Sequence, residues 1–359
     1  MFAKTALAIA AIMLAHDFAF ASGVADVLER PALISKRARN SVLVDIGLAG
    51  NRLVAVGERG IILLSDDQGM TWRQAKVPVS VTLTAVQFPV PEQGWAIGHS
   101  GVVLHSSDKG ETWTLQLDGR TAAKLSQGQV KDSTNPSSTN PDNNLNQPQA
   151  AAKPLGDDSP DKPFLALHFE NERAGLILGA YGLAFHTDDG GQTWQSWSDR
   201  FENPRALHIY AIRSTPSAIY VAGEQGLMLR SDNRGKSFIH LPVPKKVSYF
   251  SMLAGGDGEV VAAGLVGNVI WSHDKGEHWA ETNIGGRVSL SAITALKSGN
   301  WLLTNQEGSL FVTSDNGKNY QRVPTQQNFP ISAAIEVPGH VLVAVGLRGV
   351  MRIQLPGNI

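Results

Sequence analysis

The chain has 359 residues, a formal net charge of -1 and no cysteine. Hydrophobic residues make up 42% and charged residues 18%, a composition typical of globular proteins and unlike disordered or collagen-like chains. The near-neutral charge provides no positive field that would gather phosphates, which argues against a general nucleic-acid-binding role. Because no disulfide or lipid-modified cysteine can form, packing alone is expected to stabilise the fold.

The N-terminus has the features of a secretory signal peptide. Lys4 precedes an apolar stretch from Ala6 to Ala15, and Ala19 to Ala21 give the small-x-small pattern of a cleavage point. The apolar stretch is shorter than the about 20 residues that span a bilayer. We therefore expect residues 1–21 to be cleaved and the mature chain to be periplasmic, without direct membrane insertion.

Six matches to one pattern, Ser/Thr-x-Asp/Asn-x-Gly-x-x-aromatic, recur along the chain. They are Ser65-Asp67-Gly69-Trp72, Ser106-Asp108-Gly110-Trp113, Thr187-Asp189-Gly191-Trp194, Ser231-Asn233-Gly235-Phe238, Ser272-Asp274-Gly276-Trp279 and Thr313-Asp315-Gly317-Tyr320. The aromatic residues are 41, 81, 44, 41 and 41 positions apart, a spacing that fits propeller blades. We expect the Ser/Thr and Asp side chains to accept hydrogen bonds from backbone N–H groups in each turn, and the aromatic to pack against its own blade.

A second pattern precedes each of these turns and consists of two β-rich runs joined by a Gly-x-x-Gly-like element. The pairs are Gly57/Gly60, Gly98/Gly101, Gly179/Gly182, Gly223/Gly226, Gly264/Gly267, Asn305 with Gly308, and Gly346/Gly349 in a seventh copy. Both glycines of a pair are expected to supply the positive φ of a tight turn. With an inner strand before and an outer strand after, each repeat predicts a four-stranded blade and the chain an all-β, seven-bladed β-propeller.

Two segments interrupt this regularity. The seventh repeat ends before an outer strand, and residues 32–37 are placed to provide it, so an N-terminal strand is predicted to close the ring. Residues 120–162 form an insertion between blades two and three whose polar composition cannot bury a core. We expect a disordered loop within a single propeller domain of residues 22–359, which is either a tolerated surface loop or an arm that orders on a partner.

The Ser-x-Asp-x-Gly-x-Thr-Trp turns within Gly-x-x-Gly repeats over residues 41–353 resemble the Asp-box propellers, also called bacterial neuraminidase (BNR) repeats. Within these, the layout is similar to the photosystem II stability/assembly factor family. The resemblance implies an exported, non-catalytic protein that acts on newly made membrane proteins, and some relatives are thought to serve envelope transport systems. It therefore predicts a protein that binds an envelope membrane protein complex. We expect the chain by itself to be a monomer. The Asp box indicates a fold rather than a function, because sialidases contain it as well.

Sites in propellers usually lie on the face that carries the Gly-x-x-Gly turns. Arg59 and Arg348 occupy matching turn positions in neighbouring blades and predict a small basic patch, which acidic residues at comparable turns (Glu58, Glu224 and Glu307) dilute. The inner strands carry Gln87, His168 and Arg213 at nearly equivalent positions that could point into the central channel. The candidate partner-binding residues are Arg59, Arg348, Tyr181, His99, Arg213 and His168.

No catalytic residues, metal or cofactor are predicted. A sialidase needs an arginine triad, a Tyr nucleophile with a Glu partner and an Asp acid, and no Arg-Ile-Pro-type element is present. Tyr210, Tyr220 and Tyr249 fall in strand patterns, where packing explains them. No Glu closes a calcium loop after the paired aspartates of the Asp boxes. A sialidase-like glycosidase or a glycan-binding propeller, with Tyr181 and Trp197 as first suspects, is the alternative hypothesis.

Overall fold

The computed structural model describes residues 25–132, 161–255, 258–284, 286–325 and 329–357. The predicted signal peptide and residues 133–160 of the insertion lie outside these ranges. The described residues form seven antiparallel sheets, six with four strands and one with three, each in chain order from the inner to the outer strand. The prediction of an all-β, seven-bladed propeller is confirmed.

The strands of blades 1 to 3 are β1 (Leu43–Ala49), β2 (Arg52–Gly57), β3 (Ile62–Ser65), β4 (Arg73–Gln74), β5 (Leu83–Gln87), β6 (Gly94–Gly98), β7 (Val103–Ser106), β8 (Thr114–Leu117), β9 (Phe164–Phe169), β10 (Gly175–Gly179), β11 (Ala184–Thr187) and β12 (Gln195–Ser196). Those of blades 4 and 5 are β13 (Ile209–Ser214), β14 (Ile219–Gly223), β15 (Met228–Ser231), β16 (Ile239–His240), β17 (Tyr249–Ala254), β18 (Val260–Gly264), β19 (Asn268–Ser272) and β20 (Ala280–Asn283). Blades 6 and 7 contain β21 (Leu290–Ala295), β22 (Trp301–Asn305), β23 (Leu310–Thr313), β24 (Gln321–Val323), β25 (Ile331–Val337), β26 (Val341–Gly346) and β27 (Gly349–Gln354).

The core lies between blades rather than within them. Second strands such as β6 and β10 are buried along their whole length, because both faces of each sheet pack on a neighbouring sheet. Seven apolar clusters result, one at each junction between adjacent blades. Apolar area buried in this way contributes roughly 25 cal/mol per Å² and is the main source of stability.

Ring closure differs from the prediction. The seventh sheet contains three strands among the described residues, so the expectation that residues 32–37 add a fourth is wrong. That segment packs alongside blade 1 instead. The Ala32 N–H donates to the Val77 carbonyl at 3.0 Å, and the Gln74 side-chain amide donates to the Leu33 carbonyl at 3.0 Å. The ring is closed by an apolar cluster between blades 7 and 1 that includes Leu63 and Val343.

The insertion begins with an α-helix, α1 (Gly119–Asp132), so the expectation of disorder is wrong for residues 120–132. Asp118 caps the helix by accepting the Thr121 N–H at 2.8 Å, and Ala122 is buried between blades 2 and 3. Arg120 forms an ion pair with Asp26 and so ties the helix to the N-terminal segment. Within the described ranges no helix combines the length and apolar character needed to cross a bilayer.

Candidate binding face and central channel

The connections of each blade alternate between two faces of the ring. The turns between second and third strands and the links to the next blade lie on one face, here called the turn face. The hairpins between first and second strands and the Asp boxes lie on the other, the Asp-box face. The inner strands of the seven blades surround a central cavity of about 490 Å³, here called the central channel.

The glycine pairs of the turn face have two different functions. The first glycine has an extended backbone, as at Gly57 with φ -170°, and a Cβ there would lie 2.1 Å from the Val42 carbonyl oxygen. Positive φ falls on the second glycine and on the residue before it, as at Gly60 (73°) and Arg59 (53°). The prediction that both glycines supply positive φ is therefore wrong for the first, which is required by close backbone approach.

Arg59 and Arg348 are both exposed on the turn face in adjacent blades, as their spacing predicts. The Arg348 guanidinium lies 6.0 Å from the centre of the Phe329 ring. Arg39, in the segment that enters blade 1, is exposed beside them, and its carbonyl contacts Gly349. Glu58 accepts the Val42 N–H at 3.0 Å, so one carboxylate expected to dilute this patch also orients the backbone of its own blade.

Tyr181 begins a row of aromatic rings that crosses three blades on the turn face. Its side chain is 56% exposed and lies 5.2 Å from the Lys162 ammonium group. The row continues through His208, Tyr210 and Phe250, with successive ring centroids 4.8, 6.2 and 5.3 Å apart. Tyr210 and Phe250 also line the mouth of the channel. Matching the second residues of inner strands β13 and β17 would have revealed this pair in the sequence.

The two remaining surface candidates differ in exposure. His99 is exposed at the first position of the blade 2 turn, where its N–H donates to the Thr82 carbonyl at 2.9 Å. Trp197 is 8% exposed, stacked 3.6 Å from the His186 ring and 3.7 Å from the Arg200 guanidinium carbon. Its suggested role as an exposed sugar platform is therefore wrong, since both ring faces are involved in packing.

Gln87, His168 and Arg213 line the channel at equivalent registers, opposite Trp95, Leu176 and Tyr220 of their second strands. The Gln87 side chain links blade 2 to blade 3 by two hydrogen bonds. Its amide N–H donates to the Phe169 carbonyl at 3.1 Å, and its oxygen accepts the Phe169 N–H at 2.7 Å. Burial, together with the neighbouring Arg213 charge, lowers the pKa of His168 to about 4.

Asp45, which the sequence analysis missed, is the acidic residue of the channel wall. Its two carboxylate oxygens accept the Ile46 N–H at 2.8 Å and the Val86 N–H of the next blade at 2.9 Å. Burial raises the pKa of Asp45 to about 6, against the lowering effect of these hydrogen bonds and of Arg213. Ser251 at the matching position of blade 5 makes the same kind of bond to Ile293. Aligning the inner strands would have revealed Asp45 as a carboxylate where other blades have Ala or Ser.

The Asp boxes have the predicted hydrogen bonds. In blade 2, Ser106 Oγ accepts the Gly110 N–H at 2.9 Å and donates to Asp108 Oδ1 at 2.8 Å, while Asp108 accepts the Thr112 N–H at 3.0 Å. The equivalent hydroxyl-to-glycine bond is present in all six boxes. The aromatic packs in the cluster shared with the preceding blade, so Trp113 lies with Leu64 of blade 1 as well as with its own blade.

The carboxylates of the Asp boxes are occupied by the turn itself. Hydrogen bonds from the Thr193 side chain and N–H offset burial and hold the pKa of Asp189 at about 2. In the part of the chain that the structure describes, no three His, Cys, Asp or Glu side chains are grouped in a way that could hold a metal ion.

The comparisons with known proteins agree with this architecture. A family described as "Photosynthesis system II assembly factor YCF48" matches residues 33–126 and 159–329. A curated relative, photosystem II assembly lipoprotein Ycf48 of Synechococcus sp. (strain CC9902), is 23% identical over 169 residues, 45% of this chain and 51% of the relative. The matched region thus spans about half the length of this relative.

Solved structures extend the fold comparison over most of the chain. A structure of YCF48 bound to D1 peptide has a TM-score of 0.64 and 14% identity, covering 91% of this chain and 99% of that one. YCF48 from Cyanidioschyzon merolae has a TM-score of 0.61 and 15% identity, covering 89% and 97%. The WD40 propeller of Doa1 has a TM-score of 0.60 at 9% identity, covering 90% and 95%, so similarity at this level indicates the fold alone.

The fold and its turns define the class of this protein, a seven-bladed propeller in which Asp-box turns connect the third and fourth strands of six blades. Within that class, the chain belongs to the photosystem II assembly factor YCF48 family, whose pattern covers most of the propeller.

Proposed function

We propose that this chain is a non-catalytic, exported propeller that binds an envelope membrane protein complex and assists its assembly, stability or operation. Family membership supports the assembly role, and the curated relative is named as a photosystem II assembly lipoprotein. The D1 peptide is the partner of the YCF48 protein in that similar solved structure. For this chain, binding to a membrane protein is part of the proposal. A role accessory to a membrane transporter is one form that this proposal includes.

The observation that carries the proposal is the exposure of turn-face side chains that do not hold the ring together. Tyr181 is 56% exposed, and Arg59, Arg348 and His99 are exposed as well. Arg59 and Arg348 form no ion pair among the described residues, so their charges remain available to a partner. Exposed aromatic and arginine side chains are the residue types that most often dominate protein interfaces.

The proposed location follows from the signal peptide pattern of residues 1–21 and places the mature, monomeric protein in the periplasm. A protein there reaches the exposed loops and termini of envelope membrane proteins without inserting itself. Exposed loops positioned by a rigid scaffold are the usual place for binding residues, and the ring supplies such a scaffold.

The experiment is a pull-down of the mature chain from detergent-solubilised envelope. A turn-face variant combines Arg59→Gln, Arg348→Gln and Tyr181→Ala; a matched Asp-box-face control combines Arg234→Gln, Lys236→Gln and Met70→Ala, all exposed. We expect one membrane complex to be retained by the wild type and the control but lost by the turn-face variant. A third variant that replaces residues 133–160 by a Gly-Ser link, keeping α1, tests the insertion as a partner-binding arm.

Recovery of the complex by all variants would contradict the turn-face assignment, and recovery of nothing by the wild type would contradict the proposal as a whole. Glycan-binding and sialidase assays of the same preparations then address the alternative. That alternative is supported by the exposure of Tyr181 but not by Tyr220 and Tyr249, which are fully buried and so unavailable as nucleophiles.

A further inference from the structure

The lining of the central channel changes in character along its axis. At the turn-face end it contains the rings of Tyr210 and Phe250 together with Leu165. In the middle it is lined by the third residues of the inner strands, which are Asp45, Ser251 and five alanines: Ala85, Ala166, Ala211, Ala292 and Ala333. Toward the Asp-box end lie His168 and Arg213. Tyr210 and Arg213 are three residues apart on β13, which separates their backbones by about 10 Å.

Arg213 is a fixed cation of this wall whose guanidinium group is largely unused. It donates to the Ile212 carbonyl at 2.7 Å, and in the described parts of the chain no carboxylate forms an ion pair with it. Asp45 acts on Arg213 only through the longer-range attraction between their charges, and both Asp45 oxygens accept backbone N–H groups. The side chain is exposed to water inside the channel while the wall surrounds it.

His168 presents a second unused polar group beside Arg213. Its Nε2 atom is buried and has no hydrogen-bond partner in the structure. Because burial and Arg213 hold its pKa near 4, the ring is neutral at neutral pH and retains one N–H donor and one acceptor. Leaving a buried polar atom unpaired costs free energy, so a ligand gains affinity when the partly exposed ring turns and pairs this atom with it.

We propose that the channel binds a small carboxylic acid with an apolar tail, its carboxylate on Arg213 and His168 and its tail between Tyr210, Phe250 and Leu165. An arginine guanidinium group pairs with a carboxylate through two parallel hydrogen bonds, each roughly twice as strong as a hydrogen bond between neutral groups. The aromatic rings bury the tail. The cavity of about 490 Å³ is within the size range of small-molecule sites.

The test is calorimetric titration of the purified mature chain with 3-phenylpropanoate and with the uncharged 3-phenylpropanamide. We expect the acid to bind and the amide to bind at least about tenfold more weakly, since the charge-assisted hydrogen bonds are lost. Arg213→Gln is expected to reduce the affinity for the acid by a similar factor. Arg205→Gln, an exposed arginine of the turn face, is the matched control and leaves it unchanged.

Two further measurements make the outcome decisive. The anion is expected to raise the pKa of His168 from about 4, observable in its ring proton resonances by NMR.

The last residue of a polypeptide could present the same chemistry as a small carboxylic acid. A short peptide ending in phenylalanine is therefore compared as free acid and as amide. Tighter binding of the peptide acid assigns the ligand to a chain end. Equal binding of acid and amide, no binding of any probe, or an unchanged affinity in Arg213→Gln overturns the proposal.

These outcomes do not depend on the partner complex. Acid and amide are compared on the wild-type protein, so a folding defect in the variant cannot mimic the result. Failure of the channel site would leave the turn-face proposal intact, because the pull-down variants lie outside the channel lining.

Discussion

The Asp-box face and the turn face use the same repeat in opposite ways. All six Asp boxes make the same hydroxyl-to-glycine hydrogen bond and pack an aromatic residue against the preceding blade. The turns of the other face share a backbone conformation but present different side chains, such as Arg59, Ser100, Tyr181 and Val266. Repetition thus stabilises the ring, while variation on the turn face is available for recognition.

Truncating an aromatic residue of an Asp box should show the largest difference between the two faces in their contribution to stability. Trp113→Ala opens a cavity between blades 1 and 2, where the ring is 4% exposed, and is expected to lower the free energy of unfolding by about 3–5 kcal/mol. Tyr181→Ala removes an aromatic residue from the turn face and should change it by less than about 0.5 kcal/mol. Urea denaturation followed by circular dichroism measures both. Equal destabilisation by the two substitutions would contradict the division between the faces.

The channel carboxylate gives a pH-dependent contrast with the Asp boxes. Because the pKa of Asp45 is raised to about 6, folding favours its protonated form, and its contribution to stability is lost as the pH rises from about 4 through 6. The carboxylate of Asp189, held near 2, acts in the opposite direction and loses its contribution as the pH falls from about 4 to 2.

Asp45→Ser tests this contrast, since it copies the serine that blade 5 uses at the matching position. The free energy of unfolding of the variant minus that of the wild type should increase by about 2 kcal/mol between about pH 4 and pH 8. Denaturant melts of both proteins across that range provide the measurement. A difference that stays constant with pH would show that Asp45 titrates normally.

Removing the hydroxyl of one Asp box should have a smaller effect. Ser106 is 1% exposed, and Ser106→Ala leaves the buried Gly110 N–H without its acceptor, so a loss of about 1 kcal/mol is expected. Ser107→Ala, at the exposed neighbouring position, is the matched control and should be neutral. Thermal midpoints of the two variants measure the effect, and indistinguishable midpoints would count against a stabilising role for the box.

The Asp boxes and the contacts between blades also differ in how well the sequence predicts their structure. The Asp boxes were predictable because their hydrogen bonds join residues two and four positions apart, as from Ser106 to Asp108 and Gly110. The bond from Val86 to Asp45 joins residues 41 positions apart, which no local pattern indicates. The prediction of ring closure was wrong for the same reason. Residues 32–37 could reach either blade 7 or blade 1, and contacts between residues far apart in the sequence decide between them.

Composition misled the prediction for the insertion. The polar character of residues 120–162 as a whole concealed α1, although the capping Asp118 and the apolar Ala122 and Leu125 are a local helix signal. A scan for caps over the first turn, rather than an average over the whole segment, would have found the start of the helix.

The smallest expected effect comes from backbone strain on the turn face. Val266 has φ 56° and is the one β-branched residue at positive φ in the described chain. Because its side chain is 45% exposed, packing offsets little of the backbone strain. Val266→Asn should therefore raise the free energy of unfolding by about 0.5 kcal/mol, because Asn tolerates the left-handed region. Arg59→Asn, at the same position of blade 1 with φ 53°, is the control and should change the free energy of unfolding less, since Arg is not β-branched. A gain in stability, measured by urea denaturation, accompanied by loss of partner retention in the pull-down would show that this strain serves binding. Destabilisation by Val266→Asn would instead show that the exposed valine contributes contacts that the ring requires.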